Sequence, residues 1–102
     1  KGQFGQTNYS AAKAGVHGFT KALALEVARA GVTVNTVSPG YLATEMVTAL
    51  REDVRARIVE SIPVGRLGQP DEIAALLAFV ASDAAAFMTG SNIAMNGGQH
   101  MC

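Results

Sequence analysis

The chain has 102 residues, the length of one small domain, with 49% hydrophobic residues, 16% charged residues and eight basic residues balancing eight acidic ones. Without a basic block there is no footprint for nucleic acid, and no uninterrupted apolar run is long enough to span a bilayer. Cys102 is the single cysteine, so no disulfide framework or thiolate cluster is available, and His17 and His100 are too isolated for a metal site.

Residues 1–8, Lys-Gly-Gln-Phe-Gly-Gln-Thr-Asn, read as a polar, glycine-bearing loop with Thr7 or Asn8 as the cap of the helix that follows. That helix is expected to run to about Ala30 and to stop at Gly31. Val16, Phe19, Leu23 and Val27 recur at helical spacing and form an apolar stripe. Ala11, Gly15, Gly18 and Ala22 form a second stripe of small residues. It either packs on the chain's own sheet or is covered by a second subunit.

Tyr9 and Lys13 stand at i and i+4 at the start of this run, so a helix puts both on one face. A free tyrosine has a pKa of about 10 and is a poor acid or base at neutral pH. A neighbouring cation favours the phenolate, and a lowering of roughly 3 units needs about 4 kcal/mol of differential interaction. A desolvated lysine and a second positive charge, such as an oxidised nicotinamide ring, could supply it. The pair suits proton transfer to or from an oxygen while a hydride moves at the attached carbon. The bare pattern is weak by itself, and a surface tyrosine beside a solvated lysine is its bland alternative.

Residues 32–38 are rich in β-branched side chains and read as a strand that ends at Pro39-Gly40. In an open α/β sheet ligands bind beyond the C-terminal ends of the strands, which puts residues 39–44 where a ligand is expected; a plain turn at Pro39-Gly40 is the alternative. Residues 45–62 alternate apolar and charged positions and predict one or two amphipathic helices with a break near Asp53. Residues 63–68 form a loop. Gln69-Pro70-Asp71-Glu72 opens a further helix to about Ser82, with Ile73, Leu76, Leu77 and Val80 facing inward. Residues 84–87 read as a short helical turn, residues 92–95 as a brief strand, and the rest as a glycine-containing tail. Two strands make an incomplete sheet, because parallel strands are normally buried on both faces. The expected fold is therefore α/β, part of a doubly wound domain whose other strands lie outside this sequence. The chain opens at Lys1 and contains no Gly-x-Gly-x-x-Gly loop, so the nucleotide-binding half is expected upstream.

Asn8-Tyr9-Ser10-Ala11-Ala12-Lys13, Asn35-Thr36-Val37-Ser38-Pro39-Gly40, Thr89-Gly90 and Asn96-Gly97-Gly98 together resemble the C-terminal half of the short-chain dehydrogenase/reductase family, over essentially the whole chain. The resemblance implies the C-terminal part of a doubly wound, parallel-sheet, Rossmann-like domain spanning residues 1–102. It implies Tyr9 as catalytic acid/base and Lys13 as the residue that lowers its pKa and hydrogen-bonds the nicotinamide ribose. Pro39, Gly40 and Tyr41 would border the nicotinamide, with Leu42 holding its carboxamide through the backbone and Thr44 reaching the pyrophosphate.

Within the family, Gly2-Gln3-Phe4-Gly5-Gln6-Thr7-Asn8-Tyr9, Ser38-Pro39-Gly40-Tyr41 and Asn96-Gly97-Gly98-Gln99-His100-Met101 resemble the branch that reduces acetoacetyl-CoA with NADPH to (R)-3-hydroxybutyryl-CoA in polyhydroxybutyrate synthesis. That implies Gln3, Phe4, Gly5 and Gln6 beside the acetoacetyl group, Gly40 and Tyr41 at the substrate, and Arg51 at a CoA phosphate. A plain pre-helix loop and a solvated arginine are the alternatives. It also implies a cytoplasmic homotetramer with an acyl-CoA substrate, no nucleic acid, no membrane and no metal. NADH is an open alternative to NADPH. The neighbouring branch acts on 3-oxoacyl-acyl-carrier-protein. A non-catalytic binding subunit of the same fold is the alternative of another class. The 102 residues alone are expected to be inactive.

Overall fold

The computed structural model describes the backbone of residues 2–99 and the side chains of residue 8 and residues 10–99. Helix α1 (Gly2–Val27) is the longest element, at 26 residues. It begins at Gly2, so the expected leading loop is helical and Thr7 and Asn8 lie inside α1 and do not cap it. The first proline in the chain is Pro39, so nothing in residues 2–27 removes a donor from the helical ladder. Each interior glycine costs only about 1 kcal/mol relative to alanine. One 3-10 turn, Ala28–Ala30, follows, and Gly31 closes it at φ 79° with its N–H on the Ala28 carbonyl. This is the left-handed stop the sequence predicts, a conformation glycine adopts without a Cβ penalty.

Strand β1 (Thr36–Pro39) pairs in parallel with β2 (Asn92–Met95), Thr36 opposite Asn92 and Pro39 opposite Met95. Between them run α2 (Glu45–Thr48), α3 (Glu52–Glu60), α4 (Pro70–Val80) and the 3-10 turn Asp83–Ala85. This is the helical crossover that parallel strands require. The architecture is the expected α/β one, a piece of a doubly wound parallel sheet.

β1 starts later than residue 32 for a local reason. Val34 N–H donates to Thr89 Oγ1 at 3.0 Å, Asn35 Nδ2 donates to the Met88 carbonyl at 3.1 Å, and Asn35 Oδ1 accepts from Ser91 N–H at 3.1 Å. A side-chain amide and a hydroxyl thus replace ladder bonds there, and regular pairing begins at Thr36. The break between α2 and α3 falls at residues 49–51, and Asp53 sits in the first turn of α3. α4 opens at Pro70 with Asp71 and Glu72 in its first turn, as the proline and the dipole argument require. Of its four expected inward positions, Ile73, Leu76 and Val80 are half-buried, but Leu77 is exposed.

α1 meets the sheet through a narrow face. Thr20 and Ala24 are buried, and Lys13, His17, Leu23 and Val27 are half-buried. Thr20 Oγ1 donates to the Val16 carbonyl at 2.8 Å, which uses its one proton. It therefore accepts from Thr36 Oγ1, also at 2.8 Å, tying α1 to β1. The predicted apolar stripe is only partly inward, since Val16 and Phe19 are 52% and 67% exposed. The small-residue stripe of Ala11, Gly15, Gly18 and Ala22 is exposed as well. The buried apolar core among the described residues is small: Ala24, Ile62 and Ala85. The Cα radius of gyration is 16.0 Å, against about 13 Å for a self-contained domain of this length. Among the described residues no helix is long and apolar enough to cross a membrane.

Candidate active site

Lys13 on α1, Ser38 and Pro39 at the end of β1, and Gly40 and Tyr41 just beyond it line one cleft of about 380 Å³. Asn96 and Gln99, from the turn after β2, close its other side. The cleft therefore sits at the C-terminal ends of two parallel strands, where open α/β sheets bind their ligands. An ammonium, a hydroxyl and two side-chain amides around one cleft suit a ligand rich in hydroxyl and carbonyl groups. These polar groups fit a nicotinamide ribose and carboxamide, with the Ser38 hydroxyl as an acceptor because its proton goes to Asn92 Oδ1.

Each wall is fixed by bonds to the sheet or to its neighbours. Gly40 N–H donates to the Met95 carbonyl at 3.0 Å, extending the strand pairing one residue past Pro39. Ser38 Oγ donates to Asn92 Oδ1 at 3.0 Å across the two strands. Asn96 Oδ1 accepts from Gly98 N–H at 3.1 Å, and Gln99 Nε2 donates to Ser61 Oγ at 3.0 Å, pinning the turn after β2 to the end of α3.

Beyond the cleft the chain turns through residues 41–44. Thr44 N–H donates to the Leu42 carbonyl at 2.8 Å, and Thr44 Oγ1 accepts from Val47 N–H at 3.4 Å as the cap of α2. The same turn is bridged to residue 68. Gly68 N–H donates to the Tyr41 carbonyl at 3.0 Å, and the Gly68 carbonyl accepts from Ala43 N–H at 2.8 Å.

The sequence-predicted residues divide into three groups. Lys13, Pro39, Gly40 and Tyr41 come together in the cleft, and Tyr41 is half-exposed there. Leu42 turns to the adjoining cavity, with Ile62, Val64, Ile73 and Met95 as its apolar walls. Thr44 is exposed at the start of α2. Arg51 is not among the residues lining the cleft; it is exposed and pairs with Asp53, Nε to Oδ1 at 3.3 Å. The side chains of Gln3, Phe4, Gln6 and Tyr9, and the surroundings of Gly5, lie outside the described residues. The backbone of α1 runs through all five positions and sets positions 9 and 13 one turn apart on the same face.

Sequence reasoning does not single out Ser38, Asn96 and Gln99 as site residues. Their signal is positional only: the first precedes Pro39-Gly40, and the other two flank the Gly97-Gly98 pair. A second omission is electrostatic. The Arg66 guanidinium meets the Glu72 carboxylate as a fork, with Nη1 to Oε1 at 2.9 Å and Nη2 to Oε2 at 2.8 Å. Gln69 N–H adds a bond to Glu72 Oε1 at 2.7 Å. Those bonds, Arg66 first, hold the Glu72 carboxyl down at about 2, and Glu72 in turn raises Arg66 above its ordinary value.

Comparison with known proteins agrees with this geometry. The family model described as enoyl-(acyl carrier protein) reductase matches residues 1–100. An acetoacetyl-CoA reductase of Cupriavidus necator is 64% identical over 101 residues, covering 99% of this chain and 41% of that protein. An acetoacetyl-CoA reductase of Allochromatium vinosum is 60% identical over 101 residues, again covering 99% of this chain and 41% of the relative. A 3-oxoacyl-acyl-carrier-protein reductase of Vibrio harveyi is 56% identical over 100 residues, covering 98% of this chain and 41% of its own length. The chain thus spans about two fifths of the curated relatives it matches. With its Lys13 and Pro39-Gly40 cleft at the ends of parallel strands and this match along nearly its whole length, the chain belongs to the short-chain dehydrogenase/reductase family, in the part of it that the enoyl-(acyl carrier protein) reductase model describes.

Proposed function

We propose that residues 1–102 are the C-terminal part of a catalytic domain whose nucleotide-binding half lies upstream, and that the completed protein is an NADPH-dependent reductase of acetoacetyl-CoA in polyhydroxybutyrate synthesis. The domain assignment is supported by the two-stranded sheet and by the 41% coverage of the Cupriavidus relative. The functional reading is carried by one observation: Lys13 and Pro39-Gly40-Tyr41, far apart in sequence, share one cleft at the strand ends.

NADPH, when bound, supplies the hydride that goes to the ketone carbon. Tyr9 donates the phenolic proton to the ketone oxygen, giving the 3-hydroxyacyl product. Lys13, one helical turn on, stabilises the phenolate left behind and hydrogen-bonds the nicotinamide ribose. Pro39, Gly40 and Tyr41 border the nicotinamide. The Leu42 backbone takes its carboxamide, and Thr44 takes the pyrophosphate. Gln3, Phe4, Gly5 and Gln6 surround the acetoacetyl group, and Arg51 meets a CoA phosphate. NADH is the second cofactor choice. The completed enzyme is a cytoplasmic homotetramer, with the exposed face of α1 covered by its counterpart; light scattering of the full-length protein reads that state.

A second reading has its own support: the Vibrio harveyi relative is named for the acyl-carrier-protein substrate and is 56% identical. Tyr41 separates the two. Its half-exposed ring would stack on the adenine of CoA, a contact of about 1–3 kcal/mol. The experiment compares kcat/KM of the full-length protein for acetoacetyl-CoA and for acetoacetyl-acyl carrier protein, with NADPH saturating. Wild type is expected to prefer CoA. Tyr41→Ala should weaken the CoA substrate roughly 5- to 150-fold and scarcely change the other. A preference for the carrier protein, or equal loss on both, selects the second reading. No NADPH consumption with either substrate rejects the reductase.

A further inference from the structure

We propose that Arg66 and Glu72 form a positioning pair that shapes the turn at residues 41–43, and that through this turn they set the affinity for the nicotinamide cofactor without touching it. The inference rests on the reading above, in which that turn borders the nicotinamide and holds its carboxamide.

Arg66 lies in the loop between α3 and α4, and Glu72 lies in the first turn of α4. One carboxylate gathers two points of this loop, and the arginine it holds reaches a third. It takes the forked guanidinium of Arg66 at 2.9 and 2.8 Å. It takes Gln69 N–H at 2.7 Å. Arg66 Nη1 also donates to the Leu67 carbonyl at 3.1 Å. Residues 66, 67 and 69 are therefore anchored to one another around residue 68. Both backbone groups of Gly68 are spent on the neighbouring turn, N–H on the Tyr41 carbonyl and C=O on Ala43 N–H. Contact is also close: a Cβ on Gly68 would lie 3.0 Å from Leu42 Cδ2. Any shift of residue 68 is passed directly to residues 41–43.

Magnitudes separate this role from a general stabilising one. The pair faces solvent, with side chains 56% and 40% exposed. Exposed ion pairs contribute little to global stability. A displacement of about 1 Å at a ligand-holding segment, in contrast, can cost up to about 100-fold in function. The pair is thus expected to matter for the cleft more than for the fold.

The test uses the full-length protein and reads the NADPH Kd from nicotinamide fluorescence, beside the melting temperature. Arg66→Lys keeps the charge but loses the fork. Glu72→Gln keeps an acceptor for Gln69 N–H and loses the charged fork. Arg57→Ala is the control, removing a more exposed cation that pairs with Asp53 at 3.9 Å on α3. Arg66→Lys and Glu72→Gln should each raise the NADPH Kd roughly five- to tenfold, with melting close to wild type and with the double variant no worse than the weaker single one. The control should bind as wild type does. A wild-type Kd in the folded Arg66→Lys and Glu72→Gln variants overturns the inference. So does an equal rise in Arg57→Ala, which would make the effect unspecific to this pair, and so does collapse of the fold in both conservative variants. A wild-type protein that does not bind NADPH instead brings down the functional reading, and this inference with it.

Discussion

Gly40 and Asn96 approach so closely that a Cβ on Gly40 would stand 2.6 Å from the Asn96 Cβ and 2.8 Å from its Cα. The reason is the strand pairing. Gly40 N–H still bonds the Met95 carbonyl, so the chain leaving β1 runs directly beside the chain leaving β2. Gly40→Ala cannot be absorbed by a flexible side chain, because the clash is with backbone and Cβ. It should cost about 1–3 kcal/mol, the range for overpacking, and it should also raise the KM for NADPH by moving Pro39 and Tyr41. Urea denaturation and steady-state kinetics of the full-length variant check both. A variant with unchanged midpoint and unchanged KM would show that the two strand exits are not held together.

The Thr20–Thr36 hydroxyl pair is a polar tie between α1 and β1, with Thr20 only 6% exposed. Thr20→Val leaves the Thr36 hydroxyl without its partner, which should cost about 1–3 kcal/mol. The double change Thr20→Val with Thr36→Val removes both partners and should be nearer neutral than the sum of the singles. A thermodynamic cycle on the full-length protein measures this. Strict additivity would mean that the 2.8 Å contact carries no coupling.

Local chemistry makes some elements legible in the sequence. Pro70, Asp71 and Glu72 mark the start of α4, Gly31 marks the end of the first helical run, and residues 92–95 form the strand their composition predicts. Lys13 and Pro39-Gly40 are legible as pieces of a motif, and the sheet brings them to one cleft. What is not legible depends on distant partners. β1 loses residues 34 and 35 to side-chain bonds from residues 88–91, which no window around Asn35 reveals. Val16 and Phe19 keep helical spacing yet stay exposed, because spacing says that a face is apolar and not what covers it. Asn96 and Gln99 enter the cleft through the parallel register of β2 on β1, a fact of topology.

Acid should act on Glu72 in a defined window. Arg66, and then Gln69 N–H, lower its carboxyl to about 2, against about 4.3 for a free glutamate. A depressed folded-state pKa gives stability that is fully present above the unfolded value and is lost as pH falls through the folded one. For so exposed a pair the stability difference between wild type and Glu72→Gln is small at neutral pH; it should stay flat down to about pH 5, shrink below about 4.3, and be lost as pH falls through about 2. Urea midpoints of the two proteins across that range report it. A difference that grows on acidification would contradict the assigned sign.

In the proposed reaction Tyr9 moves the proton while Lys13 serves both Tyr9 and the cofactor. The decisive measurement, in the full-length protein, is kcat with acetoacetyl-CoA and the Kd of NADPH for wild type, Tyr9→Phe and Lys13→Ala. Tyr9→Phe should lower kcat by roughly 100- to 10,000-fold, the usual worth of a positioned acid, and leave the NADPH Kd nearly unchanged. Lys13→Ala should lower kcat and weaken NADPH together. Near-normal turnover by Tyr9→Phe would show that Tyr9 is not the proton donor.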